Sequence, residues 1–347
     1  MTSPTLMFRE AGEAGEAVRR QMADAGSLAA AASRWRAVDP AVVLTCARGS
    51  SDHAATYAKY LVETVLGVAV ASASPSVSSI YGAAPAAGRS LCLAVSQSGG
   101  SPDLVATVGA LRRRGAAALA MVNAPGSPLA AAADLEMPLH AGPERSVAAT
   151  KSFIASLAAV ARIVAAVGGD ADGGRGLARA LDGLPDALGR AWEADWSAVG
   201  EVLADARGLY VIGRGLGLGV AQEAALKFKE TCGLHAEAFS AAEVRHGPSA
   251  LIGPDLPLLV FRQDDATRAG VDALVAEAVG RGAPVLVAGA PHDVPAGAVA
   301  LPASPAHPAI APILLIQSFY RAAEALSHAR GYDPDRPAHL RKVTETV

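Results

Sequence analysis

Aromatic residues are scarce in this 347-residue chain, at 4%, so its core cannot be organised around large ring anchors. Alanine is abundant instead, which favours helices packed closely on sheets through small side chains. Cysteine is almost missing too. Cys46, Cys92 and Cys232 lie far apart, with no Cys-x-x-Cys and no Cys/His ligand spacing, which excludes a disulfide framework or a zinc site as the organising device. Cys46 and Cys92 fall in apolar runs and read as small buried hydrophobes. Positive charge is not in excess either: the net charge is −3. The one basic run, Arg112-Arg113-Arg114, stands before Gly115 and reads as a helix end, so no nucleic-acid footprint is expected. Residues 1–20 are mixed and charged rather than an apolar leader, and the most apolar stretch, 154–167, is interrupted by Arg162. The expectation is a soluble cytoplasmic protein with small-molecule partners and no membrane contact.

What the chain does contain is 51% apolar residues, sufficient for a sizeable core, and a length that suits two domains of roughly 150 residues. A run of β-formers at 41–47 stops at Arg48-Gly49-Ser50-Ser51 and is followed by a helical pattern over 52–65. About 166 residues later the layout returns, with 209–212 running into Gly213-Arg214-Gly215 and a helix over 219–232, which points to an internal duplication. Each half continues the alternation: strands at 91–95 and 117–122 around a helix at 102–114, then strands at 258–261 and 285–288 around a helix at 267–281. The fold class expected is α/β, two parallel sheets each flanked by helices on both faces. The glycine-rich stretch 168–174 is the best linker. The organisation expected is a helical lead-in over 1–36, a first domain over 37–168, a connecting segment with a helix at 181–206, a second domain over 207–330 and a tail over 331–347.

In an open parallel sheet, ligands collect beyond the carboxyl ends of strands, where helix N-termini present free amides. Ser96-Gln97-Ser98-Gly99-Gly100-Ser101-Pro102 occupies such a position. Ser101 suits an N-cap and Pro102 the first turn, the glycines let backbone N–H groups approach an anion, and the serines add hydroxyls. Phosphate is the guest that fits, without a metal. Asp103, one residue into the helix, would repel it unless turned aside. The second glycine-rich loop, 213–219, lacks the Gly-x-Gly-x-x-Gly spacing of a dinucleotide fingerprint, and no Walker motif is present, so no cofactor is expected.

Charge is concentrated between Glu223 and Pro248. Glu223, Lys227 and Glu230 stand at i, i+4 and i+7 and project from one helical face, carboxylate, ammonium, carboxylate. On spacing alone this is equally an ordinary solvated ion pair.

Together, Arg48-Gly49-Ser50-Ser51, Ser96-Gln97-Ser98-Gly99, Val147-Ala148-Ala149-Thr150-Lys151, Glu223-x-x-x-Lys227-x-x-Glu230, His235-x-Glu237, Arg245-His246-Gly247-Pro248 and Asp335-Arg336-Pro337-x-x-Leu340-x-Lys342 resemble the tandem sugar-isomerase (SIS) domains of the isomerase half of glucosamine-6-phosphate synthase. SIS-like sequence starts soon after Met1 and Thr2, so the chain is expected to lack the glutaminase of that synthase. It then looks like the stand-alone, second type of glucosamine-6-phosphate deaminase. The resemblance implies that Ser96, Gln97, Ser98 and Ser101 hold a 6-phosphate and that Gly49, Ser50, Ser51, Val147 and Ala149 line the sugar. Ala149 replaces a serine common in the synthase, which leaves one hydroxyl contact in doubt.

The reaction implied is ring opening of glucosamine 6-phosphate, proton transfer between C2 and C1, and hydrolysis of the ketimine to ammonia and fructose 6-phosphate. His246 is the candidate for ring opening, because an imidazole can take and return a proton near neutral pH. Glu230 is the candidate for the C1/C2 transfer. Lys227 favours its charged form while burial opposes it, and the pattern leaves that balance open. Glu223 would orient Lys227, and Lys342 matches a lysine able to form a Schiff base with the open-chain ketose. His235 and Glu237 read as supporting structure, and His53, His140 and His328 as surface or capping residues. The resemblance further implies a homodimer in which His246 reaches the neighbouring copy's site. Rival readings are a fructosamine-phosphate deglycase, an ammonia-dependent synthase, and a non-catalytic module that senses a sugar phosphate.

Overall fold

The strand-forming runs of the first half assemble into one parallel sheet. The computed structural model describes residues 4–289 and 294–342, apart from the Asp172 side chain; residues 1–3 and the last part of the expected tail, 343–347, lie outside them. Strands β1 (Val42–Cys46), β2 (Ala69–Ser72), β3 (Ser90–Ser96), β4 (Ala117–Val122) and β5 (Leu135–Pro138) take the order β2-β1-β3-β4-β5. β1 sets Val43 beside Val70 on one side and Leu91 on the other. Along β3, Cys92 and Ala94 face a core layer completed by Leu104, Val108 and Leu111 of the Pro102–Arg113 helix. Leu91, Leu93 and Val95, on the opposite face, are equally buried. Side chains alternate across a strand, so a run buried at every position requires cover on both faces.

The second half repeats the plan. Strands β6 (Gly208–Gly213), β7 (His235–Ser240), β8 (Leu258–Phe261), β9 (Val285–Gly289) and β10 (Val299–Pro302) lie in the order β10-β9-β8-β6-β7, which read from its other edge is the order of the first sheet. The register is parallel throughout. Both sheets therefore have the doubly wound order in which the winding reverses between the first and third strands, at β1/β3 and at β6/β8. That is where a crevice for a ligand forms.

Two compact units cut across chain order. One holds Glu16–Glu144 and Lys151–Gly183 and carries the first sheet; the other holds residues 4–15, Arg145–Thr150 and Leu184–Lys342 and carries the second. In place of the single connecting helix expected over 181–206, the structure has the end of one helix, Asp172–Asp182, and two more, Leu184–Trp192 and Ala198–Leu203. Gly183 separates the first two, and the third begins after Asp195 has accepted the Ser197 N–H at 2.9 Å, a local bond that competes with helix. The helix Lys151–Gly168 is long and apolar enough to cross a membrane by composition, yet it is 83% buried within the protein. Its Arg162 donates to the Gln21 and Asp24 carbonyls. Cys46, Cys92 and Cys232 are free and buried; burial pushes the thiols of Cys46 and Cys232 up to about 12 and about 11, which leaves them inert as nucleophiles.

Candidate active site

In the first sheet, β3 ends at Ser96 and the helix Pro102–Arg113 starts six residues on. Between them Gly99 takes φ +61°, and a Cβ there would lie 2.0 Å from the Ser127 hydroxyl, so only glycine fits. Ser96 Oγ accepts the Gly99 N–H at 3.0 Å and Ser98 Oγ the Gly100 N–H at 3.2 Å, which holds the turn in shape. Ser101 stands at the N-cap position as expected, but its hydroxyl makes no capping bond. Ser101 thus leaves the helix start without a hydroxyl cap, although the Leu104 N–H is already taken by Asp103 Oδ1 at 2.8 Å. Asp103 is turned aside: its side chain is wholly buried, accepting the Leu104 N–H at 2.8 Å and the Arg48 Nε–H at 2.9 Å.

That Arg48 bond joins this turn to the segment after β1. Gly49 has φ +55° and ψ −133° and precedes the helix Ser50–Val65, so Ser50 and Ser51 form its first turn rather than a loop. The two segments that the resemblance assigned to sugar and phosphate therefore meet at the β1/β3 reversal.

The equivalent reversal in the second sheet is closed. Gln263, buried, spans the 213–217 loop; with its amide oriented to satisfy both neighbours, it donates to the Arg214 carbonyl at 3.0 Å and accepts from the Gly217 N–H at 2.6 Å. A Cβ on Gly217 would meet that amide at 2.6 Å. The glycines here make room for the protein's own side chain. Beside it, buried Arg262 pairs with Asp272 at 3.0 Å.

From the same loop springs the helix Gly217–Cys232. The face expected to carry Glu223, Lys227 and Glu230 carries them inward. Glu223 and Lys227 are entirely buried, with Lys227 Nζ 3.3 Å from Glu223 Oε1 and 2.5 Å from Glu230 Oε2. The solvated-pair reading is thereby excluded. Burial alone would lower the Lys227 pKa, but the two carboxylates outweigh it and leave it raised, so the ammonium stays charged. Tyr320, from the helix Ala311–Ala329, donates to Glu223 at 3.2 Å. The Glu230 side chain, 22% exposed, is the end of this chain of groups that reaches solvent. A carboxylate held by a buried cation and open on one side can exchange protons with a guest.

The other predicted residues are distributed differently. Val147 and Ala149 fall in Arg145–Thr150, in the compact unit of the Glu230 helix. Glu10 fixes that segment by accepting the Arg145 and Ser146 N–H groups at 2.6 and 2.9 Å. His246 lies in a short helical turn, Glu243–His246, exposed, before Gly247 at φ +136°; among the described residues its ring has no hydrogen bond or ion pair. Lys342 is half-buried near the end of the tail, whose Asp335 accepts the Leu6 and Met7 N–H groups at 2.6 and 2.9 Å. His235 and Glu237 sit exposed on β7, His140 pairs with Asp24 at 2.9 Å and His328 with Glu324 at 3.2 Å. Sequence reasoning gave no role to Tyr320, Glu10, Asp335 or Arg48. Arg48 and Asp335 stand inside quoted motifs, whereas Tyr320 and Glu10 carry no local signal. Among the described residues no group of His, Cys, Asp and Glu could hold a metal ion.

Comparison with known proteins accords with this layout. Residues 41–166 and 202–320 match the SIS domain. The chain is 36% identical over 316 residues to the glutamine–fructose-6-phosphate aminotransferase (isomerizing) of Aeropyrum pernix, covering 87% of this chain and 50% of that protein. With the enzyme of the same name from Methanothermobacter thermautotrophicus it shares 31% identity over 344 residues, 97% of this chain and 57% of the other. The chain thus spans about half the length of the curated relatives it matches. Among solved structures, a candidate phosphosugar isomerase from Silicibacter pomeroyi superposes with a TM-score of 0.89 at 42% identity, covering 96% of this chain and all of the other. Glucosamine-6-phosphate deaminase from Thermotoga maritima, at 20% identity and TM-score 0.77 over 99% of this chain and 100% of that one, shares the fold. With both halves matched and each built as the same five-stranded parallel unit, the chain belongs to the SIS domain family.

Proposed function

We propose that this chain is an amino-sugar phosphate deaminase with aldose–ketose isomerase chemistry, acting on glucosamine 6-phosphate in the cytoplasm. The observation that carries the reading is the buried Glu223–Lys227 pair holding the partly exposed Glu230 carboxylate. A structural ion pair has no need of a second acid at the solvent edge, whereas a proton shuttle does. In this reading Ser96, Gln97, Ser98 and Ser101 bind the phosphate through hydroxyls and helix amides, and Gly49, Ser50, Ser51, Val147 and Ala149 contact the sugar. His246 opens the ring. Glu230 removes the C2 proton and returns it to C1, giving a ketimine at C2. Water adds there and ammonia leaves, so glucosamine 6-phosphate and water yield fructose 6-phosphate and ammonia. Lys342 engages the open-chain ketose. The Ser101 turn without a hydroxyl cap and the exposed His246 ring, which has no bond among the described residues, support these roles.

The chain is further read as a homodimer in which His246 serves the neighbouring copy. Mixing inactive Glu230→Gln and His246→Ala subunits should then restore activity.

The test is release of ammonia and fructose 6-phosphate from glucosamine 6-phosphate. Glu230→Gln should lower kcat by about 10²–10⁴-fold, the contribution of a positioned general base, while substrate binding changes little. Loss of binding instead removes Glu230 from the proton-transfer role. The aminotransferases among the relatives favour a second reading, the same site run towards amination of fructose 6-phosphate by ammonia. Parallel assays with fructose 6-phosphate plus ammonium, and with fructosamine phosphates, separate these substrates.

A further inference from the structure

The first turn of the Pro102–Arg113 helix holds two opposed features. Its backbone is arranged for an anion, yet Asp103 in that turn carries a negative charge and already occupies one of the helix's own donors, the Leu104 N–H at 2.8 Å. The Asp103 side chain has no exposure. Water therefore screens it poorly, and an uncompensated carboxylate one residue past Pro102 would repel a phosphate strongly. Arg48 stands against it, Nε to Oδ2 at 2.9 Å, from the residue just before Gly49. The arginine itself is 48% exposed, so its charge is directed at a buried acid while the rest of the side chain stays at the surface. Burial raises the Asp52 carboxyl, and His53 and then Arg48 pull against that rise, so the same guanidinium lies within electrostatic reach of a second acid in the next helix.

We propose that Arg48 is a positioning residue for the anion-binding turn: its guanidinium cancels the Asp103 charge so that residues 96–102 can accept a phosphate monoester, and the same bond holds the 48–51 segment against that turn. This rests on the reading of residues 96–101 as the phosphate site. Arg48 acts on the substrate through Asp103, so removing both charges restores what removing one destroys. A side chain that merely braced two loops would show no such rescue.

The experiment uses the whole chain and four variants, Arg48→Ala, Arg48→Lys, Asp103→Asn and Arg48→Ala/Asp103→Asn. It measures inorganic phosphate binding by calorimetry and KM and kcat for ammonia release from glucosamine 6-phosphate. Arg48→Ala should raise KM and the phosphate Kd about tenfold or more, with kcat within about threefold of the parent, as expected for loss of one close compensating charge. Arg48→Lys should fall between. The double variant should return to within about threefold of the parent. Arg48→Ala binding phosphate as the parent does, or a double variant as weak as Arg48→Ala, overturns the proposal. If Arg48→Ala does not fold, the double variant decides alone, since it leaves no uncompensated buried acid. A parent chain that binds phosphate but releases no ammonia refutes the proposed reaction and leaves the Arg48 test intact on phosphate binding. A parent chain that binds no phosphate overturns both.

Discussion

Lys227 is the residue on which the charged helix turns. With its side chain entirely buried between two carboxylates, replacing it by methionine leaves Glu223 buried and without its ammonium. Removing one partner of a buried pair typically costs about 3–5 kcal/mol. Glu230, at the solvent edge, makes a far weaker demand on the fold, and Glu230→Gln should cost about 1 kcal/mol or less. Urea denaturation of Lys227→Met and Glu230→Gln checks this, and equal losses would mean that the three groups do not form the graded, inside-to-outside series seen here. The i, i+4, i+7 spacing was legible in the chain, but its burial was not. A helix face of acids and bases reads as solvated until a neighbour covers it. The cover comes from the helix bearing Tyr320, which bonds Glu223 from 97 positions away, a separation that no local pattern spans.

At the scale of elements, the central strands were legible and the edge strands were not. β4 and β8 occupy the residues that their apolar runs predicted. β2 and β10 escaped notice because each buries only one residue in four, as edge strands facing solvent do. β7, whose His235 and Glu237 were read as supporting structure, is a further edge strand with both of those side chains exposed. The short helix Leu6–Gly12 was read only as lead-in, yet it ties together two distant segments of its unit. Asp335 takes its first two amides, Thr5 accepts the Phe8 N–H at 3.0 Å, and Glu10 near its other end holds Arg145 and Ser146. Hydrogen bonds to a charged group contribute about 1.5–3 kcal/mol each, enough to fix the tail at Asp335 against the start of this helix. Asp335→Ala should therefore free the tail before it unfolds the protein. Trypsin should cut after Arg341 at least about tenfold faster, at a melting temperature within a few degrees of the parent. An unchanged cleavage rate would show that the tail is held elsewhere.

At the scale of the whole molecule, one topology has been used twice with opposite outcomes. The β1/β3 reversal presents glycines and an uncapped helix start, while the β6/β8 reversal is filled by Gln263. Two units with separate cores need not melt together, and their titratable groups differ enough to tell them apart. In the unit of the first sheet, hydrogen bonds from Ser27, backed by His140, hold Asp24 well below its ordinary value, and the Ala118 N–H and Arg112 lower Asp134 despite burial. Lowered carboxyls stabilise above the unfolded value of 3.8, so that stability persists until the pH falls through about 4; burial-raised Asp52 opposes part of it. In the other unit, burial lowers His307 from 6.5. A lowered imidazole stabilises above its unfolded value, so this unit begins to lose stability at pH values just below 6.5, where the first is still unaffected. On the alkaline side the signs agree. Burial raises Cys46 and Cys92 in one unit and Cys232 in the other, from 9.0, and the carboxylates raise Lys227 from 10.5; raised groups stabilise below the unfolded value and cease to as pH climbs through the folded one. Calorimetry across pH should therefore show two transitions, both highest between about pH 6.5 and 9. The one lost first on acidification should be insensitive to Asp24→Asn and should lose its early decline in His307→Ala. A single transition, or two that move in parallel from pH 7 to pH 4, would mean that the units unfold as one and that the His307 imidazole contributes nothing to the balance.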